Sequence, residues 1–160
     1  MSSMSDWQVS SVLQPKPEDY DYDLDTALAS MVALRATIPG DAFTAETLGT
    51  ERAGQGAVIR SDGLVLTIGY LITEAEEVWL TTNDGRTVPA HALAYDYESG
   101  FGLVQALAPL KAPALVLGDS RNLSPGADVV VGGAGGRVHS LAARIVARQE
   151  FAGYWEYLLA

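Results

Sequence analysis

Two turn sequences, each set between short runs of β-branched and apolar residues, constrain the fold of this chain more than any other feature. The turns are SDG (61–63) and NDGR (83–86), and the flanking runs are GAVIR (56–60), LVLTI (64–68), VWLTT (78–82) and TVPAHALAYD (87–96). An Asp-Gly step between such runs is a strong hairpin signal, because glycine tolerates the positive φ of tight turns. The sequence therefore predicts two antiparallel hairpins.

Further short runs of the same kind continue this pattern along the chain. They are MVALRATI (31–38), GLVQAL (102–107), DVVVGG (128–133), SLAARIVARQ (140–149) and YWEYLLA (154–160). Many short strands separated by turn residues favour a β-barrel or a β-sandwich. Residues 140–149 also have the composition of a helix, although the glycine-rich turn before them favours a strand. Residues 25–30 fit either a short helix with Asp25 as N-cap or the approach to a strand.

Composition and charge exclude several classes of partner. The 160-residue chain has 20 acidic and 10 basic residues, a formal net charge of −10, and no cysteine. Such a charge repels nucleic-acid phosphates and anionic membrane surfaces, and without cysteine there are no disulfides or thiolate ligands. The N-terminal residues lack the pattern of a signal peptide, and no apolar run approaches the roughly 20 residues of a spanning helix. We expect a cytoplasmic protein with no nucleic-acid or membrane partner.

Three blocks of the chain together resemble the trypsin-like serine proteases of the HtrA/DegP type. GQGAVIRSDGLVLTIGYLI (54–72) and DYESGFGLVQ (96–105) are similar to the two active-site segments of the first barrel, and LVLGDSRNLSPGADVVVGGAGG (115–136) is similar to the linker and first strand of the second. The resemblance implies an all-β, chymotrypsin-like fold. A six-stranded β-barrel over residues 25–117 would follow an acidic extension (1–24) and precede a linker and a partial second barrel (118–160).

The resemblance also assigns the positions of the catalytic triad, and two of them carry other residues. Tyr70 stands at the histidine position and Gly100 at the aspartate position, while a nucleophile segment of the Gly-Asn-Ser-Gly-Gly-Pro type is absent from these residues. Phenols ionise only near about pH 10 and are poor proton acceptors at neutral pH, and glycine has no side chain to orient an imidazole. We therefore expect a catalytically inactive homologue that serves as a peptide-binding or structural module.

The alternative is an active serine endopeptidase or hydrolase. Its catalytic residues would be rearranged onto Ser99, Ser120 or His139, or would lie in a further C-terminal part. Gly118-Asp119-Ser120 copies the start of the trypsin nucleophile motif, but Arg121-Asn122 follows where a close-approach glycine turn is needed, so a linker is the stronger interpretation. His91 and His139 are the only histidines and lack a paired acid at metal-binding spacing.

The remaining expectations concern ligands and partners. Tyr70, Tyr95 and Tyr97 are the candidate ligand-binding residues, because Tyr95 and Tyr97 flank Asp96 in a segment that borders the active-site cleft in the resembled family. GGAGGR (132–137) lacks the Gly-Lys-Ser/Thr ending of a phosphate loop, and we expect no cofactor and no metal. The expected partners are an extended peptide or unfolded protein, and either further copies of this chain or another protein that completes the second barrel.

Overall fold

The computed structural model describes residues 7–149 of the chain, which form eight strands and two short α-helices. The strands are β1 Met31–Thr37, β2 Glu51–Arg60, β3 Leu64–Ile68, β4 Glu77–Thr81, β5 Thr87–Tyr95, β6 Phe101–Ala106, β7 Asp128–Val131 and β8 Leu141–Arg144. The helices are α1 Leu24–Ala29 and α2 Ala45–Leu48, and 3₁₀ turns occupy Pro17–Asp19, Gly69–Leu71, Ser120–Asn122 and Arg137–His139. No helix among these residues combines the length and apolar character needed to cross a membrane.

Strands β1 to β6 form a closed antiparallel barrel in the order β1-β2-β3-β6-β5-β4. Alternate side chains face the interior, because successive residues of a strand point to opposite faces. On β1, for example, Val32, Leu34 and Ala36 are buried. They pack in one hydrophobic core with Leu80 from the neighbouring β4 and with Val104 from β6 on the opposite side of the barrel. The six-stranded all-β barrel expected from the resemblance is therefore confirmed.

Both predicted hairpins are present. Gly63 in the turn between β2 and β3 has φ +87°, and Gly85 in the turn between β4 and β5 has φ +84°. These values lie in the left-handed region that glycine adopts at little cost. The strands on either side of each turn pair antiparallel.

The helical segments differ from expectation in two respects. Of the two alternatives for the segment before β1, the structure has the helix. Its N-cap is Asp23 and not Asp25. The Asp23 carboxylate accepts a 3.0 Å hydrogen bond from the backbone N–H of Thr26. The earlier start lets the helix bury Leu24 and Leu28, which lie four residues apart on one face. Helix α2 was not predicted from the sequence.

A second, two-stranded sheet consists of β7 and β8 within the described residues. SLAARIVARQ is therefore a strand over Leu141–Arg144, and its helical alternative is wrong. The run YWEYLLA, expected to be a third strand, lies outside the described residues. The partial second barrel expected from the resemblance is thus represented by an antiparallel pair, while the domain boundaries at residues 24 and 117 stay predictions.

Two amide side chains of the first barrel hold the glycine-rich loop that follows β7. The side-chain oxygen of Gln55 accepts a 2.9 Å hydrogen bond from the N–H of Ala134, and that of Asn83 accepts a 2.5 Å bond from the N–H of Gly135. Asn83 also donates to the carbonyl of Leu28 at 2.9 Å. These contacts hold the glycine-rich loop between β7 and β8 against the first barrel.

Candidate functional site

Tyr70 lies in the 3₁₀ turn Gly69–Leu71, directly after β3. Its carbonyl accepts a 2.6 Å hydrogen bond from the guanidinium of Arg52. The side chain itself is 45% exposed. The turn is thus anchored through its backbone, and the phenol ring is accessible at the end of the barrel.

Arg52 on β2 organises this end of the barrel and was not identified from the sequence. It is only 4% exposed, and it donates further hydrogen bonds to the carbonyls of Thr73 (3.0 Å) and Gly49 (3.2 Å) and to the hydroxyl of Thr44 (2.7 Å). A buried guanidinium requires such partners because burial of an unpaired charge is costly. The sequence signal that could have identified Arg52 is a charged residue at a strand position that faces the inside of the barrel.

Glu74 ties the turn that carries Tyr70 to the loop before α2. Its carboxylate accepts hydrogen bonds from the hydroxyl of Thr44 (2.6 Å) and from the backbone N–H groups of Thr44 (2.7 Å) and Phe43 (3.1 Å). These donors lower the pKa of Glu74 below its ordinary value, the Thr44 hydroxyl contributing most and the charge of Arg52 adding a smaller effect. Glu74 adopts φ +59°, in the left-handed region, so the network also holds a strained backbone.

Gly100 ends the turn between β5 and β6 with φ +76°. Its N–H donates to the carbonyl of Asp96 at 2.8 Å, and its own carbonyl accepts a 2.7 Å hydrogen bond from the N–H of Gly69. The turn that carries Gly100 is therefore bonded to the turn that carries Tyr70. The position itself offers no side chain for acid-base chemistry.

Asp96 stabilises the same turn through its carboxylate. It accepts hydrogen bonds from the hydroxyl of Ser99, from the N–H of Ser99 at 3.2 Å and from the N–H of Glu98 at 3.3 Å. These bonds, led by the one from the Ser99 hydroxyl, lower the pKa of Asp96. Asp96 is therefore ionised, and its carboxylate is used in hydrogen bonds within the turn.

Tyr95 and Tyr97 form an aromatic pair beside the turn that carries Tyr70. Their ring centroids are 4.3 Å apart with an angle of 35° between the planes. The Tyr95 ring lies so close over Gly69 that a Cβ atom there would overlap it. Tyr97 is 81% exposed. The structure thus places the three candidate tyrosines and Gly100 at one end of the barrel.

A shallow cleft of about 290 Å³ opens beside the aromatic pair. Its walls come from the segment after the Tyr70 turn and from the second half of β5, and they consist of Ile72, Thr73, Glu74, Ala92, Leu93, Ala94, Tyr95 and Tyr97. Apolar and aromatic side chains predominate among these residues, and Glu74 supplies the one carboxylate. Such a cleft suits an apolar segment that carries a polar or charged group at one end.

The structure does not assemble an alternative triad from Ser99, Ser120 and His139. Within residues 7–149 no hydrogen bond joins any two of these side chains. Ser99 bonds the carboxylate of Asp96 and the N–H of Phe101, and Ser120 begins the linker turn Ser120–Asn122. The Nδ1 atom of His139 is buried with no hydrogen-bond partner in this part of the chain, whereas a catalytic imidazole needs an acceptor there.

The other candidate groups lie away from the tyrosine end. His91 pairs with Gln105 on β6, whereas Tyr95 pairs with Gly102, so four residues of strand, about 13 Å, separate the imidazole from the tyrosines. Among residues 7–149 no group of three or more His, Asp or Glu side chains could hold a metal ion.

Comparisons with known proteins agree with this architecture. The family model for the trypsin-like peptidase domain matches residues 54–158. Serine protease HTRA1 from Xenopus tropicalis is 33% identical over 78 residues, which are 49% of this chain and 17% of that protein. The probable periplasmic serine endoprotease DegP-like from Halomonas elongata is 31% identical over 94 residues, 58% of this chain and 20% of that protein. The chain therefore spans about a fifth or less of these relatives.

A solved structure supports the fold. The HtrA-type protease AlgW, determined with a tripeptide, superimposes with a TM-score of 0.61 at 20% sequence identity, over 78% of this chain and 38% of that one. At this identity the likeness concerns the fold alone.

Proposed function

This chain belongs to the trypsin-like peptidase family, and from that premise we propose that it is a non-catalytic member that binds extended peptides. The observation that carries the proposal is the hydrogen bond between Gly69 and Gly100, which keeps the two active-site loops together although neither supplies a catalytic group. The scaffold of the site is retained while its acid-base chemistry is not.

The expected loss of activity is large. Catalysis by a triad requires an imidazole to accept the proton of the nucleophile and a carboxylate to orient that imidazole. Removal of single members costs about 10⁴- to 10⁶-fold in turnover in a well-studied serine protease. With Tyr70 and Gly100 at two of the positions, hydrolysis by this site falls below any useful rate, whatever residue supplies the hydroxyl.

Peptide binding is the activity that this scaffold can keep. The end of the barrel next to Tyr70 presents exposed aromatic rings and an open cleft. Tyrosine supplies large contact area with little loss of side-chain entropy, and strand addition to a sheet edge supplies main-chain hydrogen bonds without any need for catalytic residues.

The test is a titration of the protein with a set of unstructured apolar peptides, followed by NMR and by mass spectrometry of the peptides. We expect chemical-shift changes at Tyr70, Tyr95 and Tyr97, with every peptide intact after prolonged incubation. A fluorophosphonate probe should leave the mass of the protein unchanged. Peptide cleavage that this probe abolishes would overturn the non-catalytic part, and absence of binding across the set would overturn the binding part.

A further inference from the structure

Strand β5 has a free edge over its second half. It pairs with β4 only up to Ala90, which lies opposite Val78, whereas its pairing with β6 continues to Tyr95. Residues 91–95 therefore have a strand neighbour on one side only, among residues 7–149. His91, Ala92, Leu93 and Ala94 are all exposed. A row of backbone donors and acceptors on such an edge is a template for an added strand.

The cleft described above runs along this edge. Ala92, Leu93 and Ala94 form one wall, and Ile72, Thr73 and Glu74 form the other. Five residues of β-strand are about 16 Å long, which is enough for four or five residues of an extended peptide. The register of β5 shifts between Ala92 and Ala94, and such bulges commonly redirect a strand next to a binding site.

Charge favours one class of side chain in this cleft. Glu74 is the only charged residue among the eight that line the cleft. Asp96 and Glu98 flank Tyr97 in the sequence. The nearby guanidinium of Arg52 is buried and is occupied by the carbonyls of Tyr70 and Thr73. A cationic group in the cleft would meet carboxylates, whereas an anionic one would be repelled.

Tyr97 supplies the second element of recognition. One face of its ring packs at an angle on Tyr95, and the side chain is 81% exposed. Lys and Arg side chains bind the face of an aromatic ring when their charge lies within about 6 Å of its centre. An ammonium group over Tyr97 would gain this contact while its aliphatic stem lies on the apolar cleft wall.

We propose that the free edge of β5 takes an extended peptide as an added strand and that the cleft beside it selects a Lys or Arg side chain flanked by apolar residues. The proposal rests on the peptide-binding function above and locates it at the second half of β5. Main-chain bonds to residues 91–95 hold the peptide, and Tyr97 with Glu74 and Glu98 sets its charge preference.

The experiment compares three fluorescent heptapeptides that differ only in the central residue: Ala-Val-Leu-Lys-Leu-Val-Ala, and its norleucine and glutamate analogues. We expect fluorescence anisotropy to show the lysine peptide binding about five-fold more tightly than the norleucine peptide and the glutamate peptide binding weakest. NMR should place the largest amide shifts at residues 91–97. Methylation of alternate peptide N–H groups should abolish binding, because it removes strand hydrogen bonds and leaves the protein unchanged.

Variants separate the charge preference from general effects. Tyr97→Ala should weaken the binding of the lysine peptide by about two- to five-fold. Tyr97→Phe should retain the preference for lysine over norleucine because its ring keeps a π face. Glu98→Gln should also weaken the binding of the lysine peptide. Its matched control is Glu18→Gln, which makes the same charge change in the turn Pro17–Asp19. That turn contributes no residue to the cleft, so affinity should stay unchanged.

The outcomes distinguish this proposal from the one on which it rests. Equal affinity for the three peptides, with shifts at residues 91–97, would overturn the charge preference and leave peptide binding intact. Binding with shifts confined to other segments would overturn the β5 location. If none of the three peptides binds, and none of the unstructured peptides tested above binds either, both proposals would be overturned.

Discussion

The backbone N–H of Gly69 donates a 2.7 Å hydrogen bond to the carbonyl of Gly100, and this bond joins the turn that carries Tyr70 to the turn between β5 and β6. Because both partners are main-chain groups, the bond itself does not require particular side chains at these positions. The packing around the bond does depend on side chains, because the Tyr95 ring fills the space that a side chain at position 69 would need. A main-chain bond and close packing thus hold these two turns together.

Substitution of Gly69 by alanine should destabilise the protein. The new Cβ would overlap the Tyr95 ring, and such overpacking costs about 1–3 kcal/mol. Urea denaturation should show a lower midpoint at an unchanged slope.

The matched control for that substitution is Gly118→Ala. Apart from its chain neighbours, no residue has a heavy atom within 4 Å of a Cβ placed at Gly118, so the effect of the substitution on stability should stay within about 0.5 kcal/mol. If Tyr95 is the cause of the loss, Gly69→Ala should cost much less in a Tyr95→Ala background. Equal costs in both backgrounds would contradict the proposed overlap.

Replacement of Arg52 by methionine should loosen the turn that carries Tyr70. The change keeps the volume of the aliphatic stem but leaves the carbonyls of Tyr70 and Thr73 without their donor. Each buried acceptor left unpaired costs about 1–3 kcal/mol. Arg35→Met, at an exposed position of β1, is the control and should cost far less. Comparable losses of stability in the two variants would show that Arg52 has no special role in holding this turn.

Stability at acid pH should depend on Glu74. Its pKa is lowered in the folded protein, chiefly by the hydrogen bond from the Thr44 hydroxyl, so the folded state binds fewer protons than the unfolded state. The resulting stabilisation is present above the unfolded pKa, about 4.3, and is lost as the pH falls through the folded value. Glu74→Gln should therefore be less stable at pH 7 and should lose less stability between pH 5 and 3.

The control for the pH experiment is Glu76→Gln, an exposed glutamate two residues away. Its urea midpoint should follow the wild-type curve across this range. A Glu74→Gln curve parallel to that of the wild type would contradict the assignment of this carboxylate.

The sequence predicted those parts of the molecule that depend on short-range chemistry. The Asp-Gly turns identify the hairpins because a positive φ at Gly63 and Gly85 is a local requirement. The role of Arg52 could not be read in this way, since two of its acceptors lie 18 and 21 residues away and meet it only when the barrel closes. The free edge of β5 likewise depends on where β4 begins in space, which no local pattern specifies.

Asn83 illustrates the same limit and gives the last prediction. The sequence identifies it as a turn residue, but the structure shows its amide linking the carbonyl of Leu28 to the N–H of Gly135. Asn83→Ala should free the glycine-rich loop, because each lost hydrogen bond contributes about 1 kcal/mol. Hydrogen exchange at Gly135 should become about five-fold faster. The amides of the barrel core, such as that of Leu34, should keep their protection, and Asn122→Ala in the exposed linker should change neither. A uniform acceleration over the whole chain would mean global destabilisation and would contradict a specific link between the barrel and the second sheet.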